Sequence, residues 1–188
     1  MSPRPRPVWP EGNARIRHAA GLLFLFPRDG HAHIVLTVRA ETLGRHKGQV
    51  SLPGGVIEPG EAFEQAALRE AHEEISLPRA GTQILGALSP IDIPVSGFRL
   101  HPIVGASDRA PQLTPADGEV ARILEIAVED LLAPGVVVTV ERERDGRRIE
   151  VPAFRLGRDE IWGATAMVLA EFLVVLGWNG PPKRSLTS

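Results

Sequence analysis

No cysteine occurs among the 188 residues of the chain. Disulfide bonds and thiol catalysis are therefore excluded, and the composition is compatible with a reducing cytosol. An excess of either charge is missing too, since 21 lysines and arginines stand against 23 aspartates and glutamates. Nothing in that balance advertises nucleic acid as a partner, so an anionic substrate has to be met by cations gathered locally. No apolar run reaches the roughly 18 residues of a membrane span, and the first residues carry no signal-peptide pattern. These absences point to a cytoplasmic protein with neither a nucleic-acid nor a membrane partner. What is present suits one globular domain. The hydrophobic fraction is 43%, and the length holds one substantial core but not two ordinary ones. No internal repeat or second domain boundary is visible, and monomer and homodimer are not distinguished.

Proline gathers at the start, where MSPRPRPVWPEGN is expected to be extended or loosely ordered. Residues 1–17 are read as a flexible N-terminal segment, 18–178 as a single domain and 179–188 as a C-terminal tail. From His18 the chain changes character. AAGLLFLF up to Pro27 and His33 to Val38 are two apolar runs separated by Arg28-Asp29-Gly30, the pattern of two paired strands. A basic loop from Arg39 to Gly48 follows, then a short strand over Gln49 to Leu52. Strands are expected over Thr82 to Leu88 and Phe98 to Gly105, with the intervening IDIPVSG as a loop over the active site. Ala127 to Leu132 suits a short helical turn. Val136 to Arg144 and Arg148 to Phe154 flank Asp145-Gly146, a strong hairpin signal. Gly163 to Leu176 is apolar at helical spacing through Ala166, Leu169, Ala170 and Leu173 and should pack as a helix. Strands and helices in this order suggest an α/β fold with a mixed sheet sandwiched between helices.

The stretch that organises the chain runs from Gly54 to Leu77, GGVIEPGEAFEQAALREAHEEISL. If it is helical after Glu61, turning by about 100° per residue puts Glu70, Glu73 and Glu74 in one narrow sector. Leu68, Ala71 and Ile75 then fall nearly opposite and can enter a core. Like charges at this spacing destabilise a helix by a few tenths of a kcal/mol per pair. A hard divalent cation would offset that, because Mg²⁺ takes oxygen ligands and commonly bridges to substrate phosphates. A solvated acidic face is the ordinary reading of such a run. The approach argues against it: Pro53-Gly54-Gly55 and Pro59-Gly60-Glu61 deliver a turn-rich loop straight into the helix, and glycine lets backbone groups come close to a ligand.

Gly55, five residues, Glu61, seven residues, then Arg69-Glu70-Ala71-x-Glu73-Glu74-x-Ser76-Leu77 resembles the signature box of the Nudix hydrolases. Ser76 departs from the pattern, which usually has glycine there. Upstream, Leu36-Thr37-Val38-Arg39-Ala40, Leu43, His46-Lys47-Gly48-Gln49-Val50 and Leu52-Pro53-Gly54-Gly55 resemble the motif of the coenzyme A pyrophosphatase branch, with Gly44 and Leu52 in place of the usual arginine and phenylalanine. Pro94-Val95-Ser96-Gly97-Phe98 and Ile161-Trp162-Gly163-Ala164-Thr165-Ala166 resemble that branch as well. The resemblance implies a Nudix-type α/β/α sandwich and pairs Arg69 with Glu61 as structural support for the loop.

The chemistry points to the same reaction class. A phosphoanhydride already has a good leaving group, so catalysis needs charge neutralisation and a positioned, deprotonated water. Glu70 and Glu74 are assigned as principal metal ligands, Glu73 as a third ligand or the group that orients the water, and the Gly55 carbonyl as completing the shell around Mg²⁺ or Mn²⁺. Arg39, Arg45, His46 and Lys47 are candidate phosphate contacts, Arg39 foremost because it ends a strand. Ser96 and Phe98 are candidates for the substrate pocket, although Phe98 also suits a core position, and Trp162 suits packing. Glu119 is either a general base or a solvated carboxylate. His31, His33, His72 and His101 are not spaced as a metal cluster. The leading expectation is hydrolysis of the diphosphate of coenzyme A or acyl-CoA to 3',5'-ADP and 4'-phosphopantetheine. Alternatives are another nucleoside diphosphate derivative, such as ADP-ribose, a dinucleotide polyphosphate or a dNTP, and a non-catalytic ligand-binding regulatory module.

Overall fold

The computed structural model describes residues 16–40, 48–144 and 146–180. The apolar run after His18 forms β1 (Arg17–Arg28), which turns at Asp29 and Gly30, both at positive φ, into antiparallel β2 (His31–Arg39). Alternation along these strands decides the layering. Ala20, Leu22, Phe24 and Phe26 of β1, with Val35 of β2, bury against Ala66, Ala67, Ala71 and Ile75 of helix α1 (Phe63–Ile75). Leu23, Ile34, Leu36 and Val38 face the other way, into a core with Val168, Leu169, Phe172 and Leu173 of helix α2 (Gly163–Val175). A sheet with one helix on each face is the result, as the sequence predicts.

On one edge, β1 pairs first with β4 (Gly54–Val56) and then with β2. On its other edge runs β7 (Phe98–Ala106), parallel to it over nine residue pairs, which makes the sheet mixed. The short β3 (Val50–Ser51) and the longer β8 (Val120–Ala127) add to β2, while β5 (Gln83–Ala87) and β6 (Ile91–Ile93) add to β7. After a 3-10 turn at Val128–Leu132, a second sheet is formed by β9 (Val137–Arg144), β10 (Arg147–Leu156) and β11 (Asp159–Trp162). The Asp145-Gly146 signal marks the β9–β10 hairpin, where Arg147 pairs with Arg144.

Four strands differ from expectation, the first being β4, where Gly54–Val56 pairs with β1 and the sequence suggests only a turn-rich loop. Ile91–Ile93 is the strand β6, so the loop expected over 91–97 shrinks to the turn between Ile93 and Phe98. Three residues are too few for their alternation to stand out. β8 and β11 carry charges on half-buried positions, Arg122, Glu125, Asp159 and Glu160, which conceal their periodicity. Residues 1–15, 41–47 and 181–188, which include most of the expected N-terminal segment and C-terminal tail, lie outside the described residues.

One buried hydrogen bond ties the second layer to the first. The Thr165 hydroxyl, in the first turn of α2, donates to the Val50 carbonyl of β3 at 3.2 Å. Its neighbours Ile161 and Ala166 are core residues. Residues 161–166 thus fasten α2 and β11 beside the strand that leads into Gly54.

Candidate active site

β4 brings Gly54 and Gly55 against β1, opposite Gly21 and Ala20. Neither position has room for a side chain. A Cβ on Gly54 would sit 2.3 Å from the Ala20 carbonyl oxygen, and one on Gly55 would sit 2.4 Å from the Glu70 carboxylate. The Gly55 backbone and the Glu70 side chain are therefore in direct apposition.

The chain then loops back to α1. The Ile57 amide donates to the His18 carbonyl, and the Glu58 amide to Glu61 Oε2 at 3.0 Å. Ala62 has no capping side chain, but its amide donates to Gln65 Oε1 at 3.0 Å, satisfying one donor at the helix start. Arg69 closes the loop. Its Nε and Nη2 grip Glu61 at 2.9 and 3.0 Å, Nη2 also reaches the Val56 carbonyl at 3.0 Å, and Nη1 reaches Glu70 at 2.8 Å and Glu73 at 3.2 Å. Such a fork is what a guanidinium supplies and an ammonium does not. The helix ends at Ser76, at φ 56° and ψ 30°, the left-handed conformation that glycine adopts more easily.

The three glutamates do share one side of α1, in unequal settings. Glu73 is 54% exposed, whereas Glu70 is 18% exposed. Glu74 is half-buried. Burial pushes its carboxyl up to about 7; a hydrogen bond from the Gly54 amide at 3.0 Å opposes this, Glu70 and Glu119 add to the rise, and Arg39 lowers it. Two of the weighed residues, Glu119 and Arg39, thus act on the same carboxylate. Their backbones are joined as well, through the Ala40 amide and the Glu119 carbonyl.

A divalent cation fits this donor set. A partly desolvated carboxylate with two like charges beside it, and a glycine whose missing Cβ leaves Glu70 against the backbone, form an oxygen-rich, electron-rich recess suited to a hard ion. Among the described residues no three acidic or imidazole groups already close around an ion-sized point. Arg69 accounts for this, because it draws Glu70 and Glu73 toward itself while Glu74 turns to the Gly54 amide.

The remaining candidates are dispersed. Arg45, His46 and Lys47 lie outside the described residues. The Ser96 carbonyl accepts from Arg17, its hydroxyl donates to the Ile93 carbonyl, and the Phe98 ring lies 4.0 Å beneath the Arg17 guanidinium. Both residues therefore hold the β6–β7 turn against the start of β1. His31 meets Glu129, and His72 meets the Leu77 carbonyl. Not anticipated is a stack in which Phe63 lies 3.8 Å from His101, itself bonded to His18 at 2.9 Å. Its one trace in the sequence is that His18 and His101 keep the alternation of the strand face that covers α1.

Comparison with known proteins agrees with this geometry. The model of the NUDIX domain matches residues 15–143. A protein of Cronobacter sakazakii named "Uncharacterized Nudix hydrolase NudL" is 32% identical over 173 residues, covering 92% of this chain and 89% of its own. Among solved structures, the Nudix hydrolase RenU of M. smegmatis superimposes with a TM-score of 0.53 at 25% identity over 62% of this chain and 73% of its own. A MutT/nudix family protein of Enterococcus faecalis has a TM-score of 0.58 at 18% identity, over 91% of this chain and 66% of its own, a likeness of fold alone. The box of glycines, glutamates and Arg69 thus sits inside a matched domain, and the chain belongs to the Nudix hydrolase family.

Proposed function

We propose that this Nudix hydrolase cleaves the diphosphate of coenzyme A or an acyl-CoA, giving 3',5'-ADP and 4'-phosphopantetheine. The observation that carries the reaction class is the convergence of the Gly54-Gly55 turn with Glu70 and Glu74. The substrate rests on the resemblance of residues 36–55 to the coenzyme A pyrophosphatase motif, and on cations in that stretch. The family is in general divalent-metal dependent. Glu70, Glu74, Glu73 and the Gly55 carbonyl are the proposed ligands, for Mg²⁺ or Mn²⁺. When bound, such an ion neutralises phosphate charge and lowers the pKa of a water.

The protein's own groups do the rest. Glu73, the most exposed of the three, is free on its outer side to orient the attacking water. Glu119, exposed and close enough to Glu74 to raise its pKa, is a second place for the departing proton. Arg39, whose charge acts on the same carboxylate, is the proposed contact for the substrate's phosphates. Arg69 fixes the loop and helix in register through Glu61 and Val56, so the recess keeps its shape while anions enter and leave.

The test is product analysis of wild type and Glu74→Gln with Mg²⁺ on coenzyme A, ADP-ribose, diadenosine polyphosphates and dNTPs. Coenzyme A should be cleaved best, and the variant should lose at least about 100-fold in kcat, as expected for removing a group that stabilises transition-state charge. Faster cleavage of another diphosphate would overturn the substrate. Full activity in Glu74→Gln would overturn the metal site, and binding without turnover by wild type would mean a regulatory module.

A further inference from the structure

A cavity of about 410 Å³ opens beside Gln49 and Val50, on the strand that leads into the Gly54 turn, within the range of pockets that take small molecules. Val50 and its two predecessors line one side, and Arg142, Arg158, Asp159, Glu160 and Trp162 the other. The two walls have different origins. The first belongs to the strand that enters the glycine turn. The second comes from the three-stranded sheet, and both Arg158 and Trp162 lie beyond residue 143, where the match to the family domain ends.

The charges on this wall are not equivalent. Arg142 binds Glu160 at 2.5 Å and lies 5.1 Å over the Trp162 ring; Arg155 shares the same carboxylate at 2.8 Å; Arg122 holds Asp159 at 2.6 Å. Both carboxylates are therefore neutralised and do not repel an incoming anion. Arg158, on the turn between β10 and β11, makes no ion pair or hydrogen bond among the described residues. Of the two arginines that line the cavity, Arg142 is engaged and Arg158 is the exposed one with its donors unspent among the described residues. A planar guanidinium with free donors is suited to a phosphate monoester, which it can bind through two parallel bonds.

The cavity lies close to the acidic recess along the chain: Val50 lines it, and four residues later the Gly54 amide binds Glu74. The Gly48 amide donates to the Arg39 carbonyl and the Arg39 amide to the Gln49 carbonyl, so two residues that line the cavity are joined to Arg39 at the end of β2. A ligand with its diphosphate at the glutamates can extend past Arg39 into it.

We propose that this cavity holds the end of the substrate remote from the scissile bond, and that Arg158 binds a terminal phosphate monoester there. Resting on the function proposed above, the group is the 3'-phosphate of coenzyme A. Arg142, clamped by Glu160 and Trp162, is the wall against which the adjoining nucleoside lies. Specificity for a doubly phosphorylated nucleoside then comes from the added sheet and not from the shared domain.

The experiment compares wild type with Arg158→Ala and Arg158→Lys. Binding of 3',5'-ADP and 5'-AMP is measured by calorimetry in chelator, and KM and kcat are measured with coenzyme A and dephospho-coenzyme A. Wild type should bind 3',5'-ADP at least tenfold more tightly than 5'-AMP. In Arg158→Ala that preference should vanish with 5'-AMP affinity unchanged, the KM for coenzyme A should rise about tenfold at constant kcat, and dephospho-coenzyme A should be unaffected. Arg158→Lys should restore part of the preference. Cleavage of coenzyme A with no dependence on Arg158 overturns the cavity assignment and leaves the reaction standing. Arg158-dependent binding of 3',5'-ADP without cleavage of coenzyme A supports the cavity and overturns the reaction. Absence of 3',5'-ADP binding, or equal losses for both nucleotides in the variant, overturns the cavity assignment.

Discussion

Glu74 is the residue at which stability and chemistry oppose each other. Burial raises its carboxyl from 4.5 to about 7. The fold therefore favours the protonated form, and the associated stability is complete below the unfolded pKa and lost as pH rises through about 7. Glu74→Gln removes the charge at every pH. In chelator at pH 8 the variant should be more stable than wild type by on the order of 2 kcal/mol, about 5 °C in Tm, and the gap should narrow as pH falls to 5. Thermal melts at the two pH values check this; an equal gap at both would remove the carboxylate as its cause. Ser76 carries a different cost. An L-residue in the left-handed region is strained by about 1–2 kcal/mol, part of which glycine gives back in unfolded-chain entropy. Ser76→Gly should therefore raise stability by about 0.5–1 kcal/mol in denaturant titration, and leave turnover unchanged, because Ser76 is an exposed cap at the end of the helix whose backbone conformation glycine adopts.

At the scale of elements, the α1 unit was legible in the sequence because its determinants are local. Glutamate spacing and the glycine turn lie within one loop and one helix, and the structure brings them together, with the Arg69–Glu61 pair that the family resemblance implied. The helix α2 and the hairpins were legible for the same reason, since periodicity and turn residues are short-range signals. β8, β11 and the cavity they border were not. Their half-buried arginines and aspartates read as surface charge until the partner appears, and Arg122 finds Asp159 only through tertiary pairing. Arg158 is visible as a site residue only because its neighbours are spoken for, which no single position in the sequence discloses. The seam between the two layers gives a sharper test. Thr165→Val keeps shape but leaves the Val50 carbonyl without its side-chain donor, and should cost about 1 kcal/mol, about 3 °C in Tm, for the loss of one buried hydrogen bond. An unchanged Tm would mean that this bond does not hold α2 to β3.

For the whole molecule, the arrangement is one shared domain with a second sheet leaned against it. The first layer supplies the acidic recess and the second supplies the far wall of the cavity, so on the proposed function reaction and selectivity are divided between two parts of the chain. No helix among the described residues is long and apolar enough to cross a membrane. The parallel pairing of β1 with β7 has a consequence in time as well as in space. Arg17 lies opposite Phe98, and the entire glycine turn and glutamate helix are strung on the chain between them. Closing so long a loop has to precede the reward of its contacts. During synthesis, the central strand waits for its parallel neighbour until β7 has left the ribosome, and until then α1 lacks part of the sheet on which it lies. The helix that carries the proposed metal ligands is translated early and completed late, so a slow refolding phase should report the docking of β7 and the recovery of activity together.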